Sequence, residues 1–185
     1  MFNLTRSTFR PAQLRQFSNS AARFVAVGDK IPDIALFENS PGNQVDLSEE
    51  TAQGKSVIIG VPGAFSPACS ASHVPGYLKH LRQFNEKGYK KFFVVSVNDA
   101  FVQKAWGDSL LGSEIAGAQI TFLADPAAEF TTALDLKFDA SKFFGNERSK
   151  RYALLVEDGK VAKTFIEPDN VSVEVSDAEK VLENA

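Results

Sequence analysis

The chain has 185 residues, 44% hydrophobic and 23% charged, a composition that suits one folded domain and excludes a disordered or fibrous protein. Apolar runs fall well short of the roughly 20 residues of a membrane-spanning helix, so we expect no membrane partner. A single cysteine excludes an internal disulfide and, with only two histidines, argues against a dedicated zinc site, so no metal or cofactor is predicted.

The charge is unevenly distributed along the chain. Residues 1–24 contain four arginines and no acidic residue, whereas residues 25–185 contain 16 basic and 23 acidic residues, a net charge of −7 that disfavours nucleic-acid binding. An Arg-rich, Ser-rich and acid-free leader is typical of a mitochondrial transit peptide. We therefore expect a transit peptide over residues 1–24, cleaved before Val25, and a single domain over residues 25–185 in the mitochondrial matrix. A disordered basic tail is the alternative.

The first predicted elements are a hairpin, a buried strand and a helix. Apolar residues on both sides of the turn-forming stretch 40–43 indicate the hairpin. The apolar run 56–62 predicts a strand buried on both faces. Apolar residues then recur at helical spacing from Ser70 to Lys87, and Pro75 is expected to kink this helix.

Two further strand–helix units follow, which predicts a parallel core. The run from Phe92 to Val97 is the second strand, and Asn98 or Asp99 can cap the helix after it. In the third unit Asp125 is the expected cap and Pro126 the first helical residue.

The end of the chain no longer alternates between strand and helix. Two strand-like runs are joined by Asp158 and Gly159, a strong signal for a type I′ hairpin and therefore for antiparallel strands. A short final helix is expected after Ser176, which would cap it. The predicted fold class is α/β, a thioredoxin-like arrangement with a mixed central sheet flanked by helices on both faces.

The stretch GVPGAFSPACS carries the only cysteine of the chain. Pro62 ends the preceding strand, Ser66 is a good N-cap and Pro67 suits the first helical position. Cys69 would then lie in the first helical turn, where the helix dipole and unpaired backbone N–H groups favour a thiolate over a thiol. The competing interpretation is that Cys69 is a small buried residue and Ser66 only a cap.

Ionisation alone would not make this sulfur a fast nucleophile. An ordinary thiol is about 3% ionised at neutral pH, so full ionisation raises the reactive fraction only ~30-fold, or about 2 kcal/mol. Fast chemistry therefore also requires hydrogen-bond donors directed at the charge that develops on the substrate. We look for a hydroxyl and a cation near Cys69.

The stretch PGAFSPACSASHVPGY fits the peroxiredoxin signature P-x-x-x-(T/S)-x-x-C and resembles the type II, peroxiredoxin-5-like subfamily. The stretches VNDAFVQKAWG, FLADPAAEFTTALDL, RYALLVEDGKV and IEPD resemble the same subfamily in order and spacing. The resemblance covers about residues 25–185. It implies a thiol-dependent peroxidase for hydrogen peroxide and small organic hydroperoxides, assembled as a homodimer.

The resemblance also implies a role for individual residues. Cys69 would be the peroxidatic cysteine, which becomes a sulfenic acid. Ser66 would hydrogen-bond the sulfur and the peroxide, and Pro62 would shield the pocket from water. Arg151 would hold the thiolate and polarise the peroxide, although Arg148 and Lys150 compete with it on sequence alone.

Three more residues are candidates for substrate binding. Phe65 is expected to line an apolar mouth for organic hydroperoxides, and Ala68 flanks Cys69 in the same motif. His73 lies one helical turn beyond Cys69, so it either contacts the pocket or is a structural histidine bonded to the backbone; the second interpretation is favoured. Trp106 is expected in the core or in an interface.

The chain departs from many type II relatives because it has no second, resolving cysteine. An external thiol must then resolve the oxidised Cys69, and the candidates are glutathione with or without glutaredoxin, thioredoxin, or another peroxiredoxin. A peroxide sensor or redox relay without sustained turnover is the alternative function. A thiol transferase is disfavoured because there is no C-x-x-C motif.

Overall fold

A computed structural model of the protein describes residues 24–112 and 119–185. The predicted transit peptide lies outside these residues except for Phe24. No helix in the described ranges is long and apolar enough to cross a membrane. Within the same ranges, no three His, Cys, Asp or Glu side chains are grouped so that they could hold a metal ion.

The described strands form one large and one small sheet. In chain order they are β1 Ala35–Glu38, β2 Gln44–Asp46, β3 Lys55–Gly60, β4 Tyr89–Ser96, β5 Ile120–Ala124, β6 Lys137–Asp139, β7 Glu147–Ser149, β8 Tyr152–Glu157 and β9 Lys160–Ile166. The large sheet has the order β2-β1-β5-β4-β3-β8-β9, and β6 pairs with β7 in the small one. Strands β3, β4 and β5 are parallel, whereas β1 and β8 run antiparallel to their neighbours in this core.

Helices cover both faces of the large sheet. They are α1 Leu47–Glu50, α2 Val74–Glu86, α3 Ala100–Leu111, α4 Glu129–Ala133, α5 Ser141–Phe144 and α6 Ala178–Glu183, with a π-helical turn over Cys69–His73. Because strand side chains alternate between faces, Val57 packs into one core with Trp106, whereas Ile58 packs into the other with Phe130. The predicted thioredoxin-like α/β fold with a mixed sheet is confirmed.

Two short sequence motifs correctly predicted a turn and a helix cap. Strands β8 and β9 pair antiparallel, and Asp158 and Gly159 between them have φ values of 48° and 73°, as a type I′ turn requires. Asp99 caps α3, because its carboxylate accepts hydrogen bonds from the backbone N–H groups of Phe101 and Val102.

Two predicted caps are wrong. Helix α4 begins at Glu129 and not at Pro126, and Asp125 instead reaches past a turn to accept hydrogen bonds from the backbone N–H and hydroxyl of Thr131. Helix α6 is capped by Asp177, whose carboxylate accepts from Glu179 N, whereas Ser176 is fully buried. In both cases the side chain hydrogen-bonds residues outside the first turn of its predicted helix, and the sequence pattern of a local cap does not show this.

The helix predicted from Ser70 to Lys87 begins earlier and changes its hydrogen-bond register. Helical structure starts at Pro67, widens into the π turn and continues as α2. The N–H of Val74 donates to Cys69 O, five residues back. The change of register occurs directly before Pro75, which has no N–H to donate to the preceding turn.

Candidate active site

The structure brings a hydroxyl and a cation to the sulfur of Cys69. The Sγ atom is fully buried at the start of the π turn. Ser66 Oγ lies 2.8 Å from it, and an Nη1 atom of Arg151, 82 residues further along the chain, lies 3.3 Å from it. Since both partners are hydrogen-bond donors, this arrangement stabilises a negatively charged sulfur.

Ser66 is held by its own loop. Its hydroxyl lies 2.9 Å from Gly63 O as well as 2.8 Å from Cys69 Sγ, and its single hydrogen can be donated to either acceptor. Its backbone carbonyl accepts from Ser70 N at 3.0 Å, which begins the helix. The residue therefore occupies the predicted cap position while its hydroxyl is directed at the sulfur.

Arg151 is fixed at both ends. It lies directly before β8 and is only 2% exposed. Its backbone N–H donates to Asn170 O, its carbonyl accepts from Glu167 N, and its Nε donates to Val171 O at 2.9 Å. Among the described residues it forms no ion pair with a carboxylate, so its charge remains available to the sulfur.

The two basic residues that competed with Arg151 make other contacts. Arg148 donates from Nη1 to Val97 O at 2.8 Å and lies over the ring of Phe144, 4.9 Å from its centroid. Lys150 donates to the side chain of Asn170. Of these three cations, Arg151 is the one that contacts Cys69.

The loop between β3 and the helix carries the other motif residues. Pro62 is buried, and a side chain at the neighbouring Gly63 would meet the ring of Phe144 at 3.0 Å. Phe65 is 55% exposed and has a φ of 58°, a left-handed conformation that is costly for a bulky residue. Ala68 is partly buried beside Cys69.

His73 is fully buried and bonded to the backbone, as the structural interpretation predicted. Its Nε2 lies 3.1 Å from Ser176 O. Its Nδ1 lies 3.3 Å from Arg151 Nη1, a contact that the sequence did not predict. Burial, together with the charge of Arg151, lowers the pKa of His73 from 6.5 to about 3.

Sequence analysis missed several residues that support the site. Asn98 Oδ1 accepts a hydrogen bond from Ala64 N at 3.0 Å and so fixes the loop from the end of β4. Trp106, predicted in the core or in an interface, is fully buried and also donates from Nε1 to Ser70 Oγ at 2.9 Å. Glu167 accepts from the backbone N–H and hydroxyl of Ser176, both at 2.8 Å. These pairs are 34, 36 and nine residues apart, so no local sequence pattern indicates them.

The chain is similar in sequence and in fold to known proteins. The family model described as Redoxin matches residues 26–182. A curated relative, "Peroxisomal membrane associated protein 20" of Schizosaccharomyces pombe, is 51% identical over 158 residues, which are 85% of this chain and 97% of the relative.

Two solved structures extend the comparison. Reduced Prx3 of Vibrio vulnificus in complex with h2o2 has a TM-score of 0.78 and 39% identity, over 87% of this chain and 96% of that one. Peroxiredoxin 5 of Alvinella pompejana has a TM-score of 0.75 and 35% identity, over 86% and 96%. The chain therefore belongs to the redoxin family, as a one-cysteine peroxiredoxin of the type II, peroxiredoxin-5-like group and hence a thiol-dependent peroxidase.

Proposed function

We propose that Cys69 is the peroxidatic cysteine of this peroxidase, assisted by Ser66 and Arg151. The observation that carries the proposal is the convergence of a hydroxyl and a guanidinium on one buried sulfur, at 2.8 and 3.3 Å. These donors are placed to stabilise the thiolate before the reaction. They can also stabilise the charge that develops on a peroxide oxygen at the sulfur.

In the proposed reaction the Cys69 thiolate attacks one peroxide oxygen in line with the O–O bond. A sulfur–oxygen bond forms, the O–O bond breaks, and the leaving oxygen takes up a proton and departs as water or an alcohol. The sulfur is oxidised to a sulfenic acid and the peroxide is reduced. Arg151 suits the second role because it stays charged and its donors have a fixed geometry.

The loop residues define access to the sulfur. The buried Pro62 shields it from water, and the exposed Phe65 with Ala68 forms an apolar mouth. Such a mouth suits small organic hydroperoxides as well as hydrogen peroxide. The h2o2 complex of the related Vibrio vulnificus protein supports hydrogen peroxide as a substrate.

An external thiol completes the cycle, because Cys69 is the only cysteine of the chain. The sulfenic acid condenses with that thiol to a mixed disulfide and water, and a second thiol releases Cys69 by disulfide exchange. The full burial of the sulfur favours a small thiol such as glutathione over a direct approach by thioredoxin. Glutaredoxin can then act on the glutathione adduct.

The proposal includes a mitochondrial protein that forms a homodimer. The Arg-rich leader supports import, with a transit peptide over residues 1–24 and the peroxidase domain over residues 25–185. The exposed rings of Phe65, Phe101 and Phe143 are apolar surface that supports a dimer contact. Because the Schizosaccharomyces pombe relative is named peroxisomal, a fluorescent fusion of residues 1–24 tests the compartment directly.

Peroxide consumption with each reductant tests the proposed function. The wild-type protein should turn over continuously with at least one thiol system, and Cys69→Ser should consume no peroxide. Intact mass after peroxide treatment, with and without glutathione, should show a glutathione adduct on Cys69. Turnover by Cys69→Ser would refute the assignment, and arrest after one equivalent under every reductant would favour the sensor.

A further inference from the structure

His73 bridges Arg151 and the segment near the end of the chain. A guanidinium only donates hydrogen bonds, so Nδ1 of His73 must accept from Arg151 Nη1 at 3.3 Å. A carbonyl oxygen only accepts, so Nε2 must carry the hydrogen that is donated to Ser176 O at 3.1 Å. The two contacts together fix one neutral tautomer of the ring.

The surroundings of His73 keep the ring neutral. The side chain is fully buried. Burial and the adjacent charge of Arg151 lower its pKa to about 3. If Nδ1 were protonated, it would present an N–H to the guanidinium of Arg151. The ring could then no longer accept the hydrogen bond from Arg151 Nη1. The tautomer is therefore a fixed part of the site at neutral pH.

The same nitrogen of Arg151 contacts both Cys69 and His73. Its two hydrogens can be directed to two acceptors, Cys69 Sγ and His73 Nδ1, each at 3.3 Å. Cys69 and His73 are the first and last residues of the π turn. This turn therefore presents both acceptors to one guanidinium nitrogen, and His73 determines how that nitrogen is oriented at the sulfur.

On its Nε2 side, His73 joins a network of hydrogen bonds that leads through Ser176 and Glu167 back to Arg151. Ser176 donates from its N–H and hydroxyl to Glu167, and Glu167 N donates to Arg151 O at 3.0 Å. Tyr77 also donates to Ser176 O, at 2.6 Å. His73 thus connects the guanidinium of Arg151 to the segment that holds the backbone of the same residue.

We propose that His73 is a positioning residue, which holds Nη1 of Arg151 against the Cys69 sulfur through its unprotonated Nδ1. The inference rests on the proposed role of Arg151. The alternative is a structural role for His73. In that role the hydrogen bond from Nε2 to Ser176 O would matter, and the contact of Nδ1 with Arg151 would not. The two roles depend on opposite sides of the imidazole ring, so they can be separated.

Two substitutions of similar polarity separate them. In His73→Asn, the amide oxygen can take the place of Nδ1 and accept from Arg151, whereas the bond to Ser176 is lost. In His73→Gln, the amide N–H can take the place of Nε2 and donate to Ser176, whereas the acceptor for Arg151 is lost. The measured quantities are the single-turnover rate constant of Cys69 oxidation by hydrogen peroxide and the ultraviolet absorbance of the thiolate at neutral pH.

The positioning role predicts that His73→Gln reacts about tenfold more slowly than wild type and loses thiolate absorbance, while His73→Asn stays within about threefold. A rate for His73→Asn that is equal to or below that of His73→Gln would overturn the inference. Circular dichroism confirms that the variants compared are folded.

A measurement on the unmodified protein provides a second test. The side-chain nitrogen shifts of His73 in an NMR spectrum should show a protonated Nε2 and an unprotonated Nδ1 throughout the neutral range. A proton on Nδ1 would overturn the inference, because that atom could not accept from Arg151. Arg151→Met separates the two proposals: a wild-type rate for it would refute the proposed role of Arg151 itself, whereas a slow rate with the wrong order of the His73 variants would refute only the role of His73.

Discussion

The two donors at the Cys69 sulfur come from regions that are built differently. Ser66 lies three residues before Cys69, in a partly buried loop whose hydrogen bonds are mostly short-range. Arg151 lies 82 residues after it, and is buried with contacts to Glu167, Asn170 and Val171. The loop is therefore specified by a motif, whereas the position of Arg151 depends on the whole sheet and on the segment after β9.

This difference has a consequence for mutations. A change in the loop should affect the rate and leave the stability of the fold nearly unchanged, because Ser66 is only half-buried. A change at Arg151 should affect both properties, since a buried guanidinium and its hydrogen-bond partners are lost together. Substitutions at Arg151, at Ser66 and at Asn98, which supports the loop, test this contrast.

Arg151→Met should reduce the second-order rate constant for hydrogen peroxide by about 100- to 1000-fold, the usual effect of removing one preorganised donor from a reacting centre. It should also lower the free energy of unfolding, because Val171 O and His73 Nδ1 lose their donor. Stopped-flow kinetics and denaturant unfolding measure the two effects. Lys150→Met is the matched control, since Lys150 contacts Asn170 and not the sulfur, and it should react at a rate near wild type.

Ser66→Val should reduce the same rate constant by roughly 10- to 100-fold, because one uncharged donor at the sulfur is lost. The free energy of unfolding should change by less than about 1 kcal/mol. Ser66→Thr keeps the hydroxyl and should restore most of the rate. A slow Ser66→Thr together with a fast Ser66→Val would show that side-chain shape, and not the hydroxyl, matters at this position.

Asn98→Leu tests whether the loop needs the hydrogen bond that Asn98 accepts from Ala64 N. The substitution leaves the N–H of Ala64 without its acceptor next to the left-handed Phe65, so Ser66 should lose its position at the sulfur. We expect a fall of about tenfold in the oxidation rate, the effect expected when one hydrogen bond that fixes the loop is lost. Asn98→Asp retains the acceptor and is the control. A rate near wild type for Asn98→Leu would show that the loop holds its own conformation without this hydrogen bond.

The same contrast explains what the sequence could and could not predict. Pro62, Ser66 and Cys69 lie within eight residues, so turn and helix propensities place them correctly without tertiary information. Only the family resemblance singles out Arg151, because a basic residue before a strand is ordinarily exposed. The prediction of Ser176 as a helix cap is wrong because its hydroxyl has a partner outside the helix. Its hydroxyl is bonded to Glu167, nine residues earlier, and no local pattern indicates that bond.

The last expected effect is on stability and not on rate, because it leaves the oxidation rate at neutral pH unchanged. His73 has a pKa of about 3 in the folded protein and 6.5 as an ordinary histidine, so between these values the unfolded chain binds a proton that the folded chain does not. Unfolding then takes up a proton, and the free energy of unfolding should fall by about 1.4 kcal/mol for each pH unit below 6.5, until the loss ends near pH 3. Above pH 6.5 both states are neutral and this contribution is constant.

Denaturant unfolding of wild type and His73→Gln at a series of pH values isolates the effect, because His80 and the carboxylates are common to both proteins. The difference between their free energies of unfolding should shrink as the pH falls, since only the wild type carries the buried imidazole. A constant difference across this range would mean that the ring accepts a proton without cost. In that case His73 could not be the fixed neutral partner that holds Arg151. The side chain of Arg151 would then be held less rigidly than its buried contacts indicate.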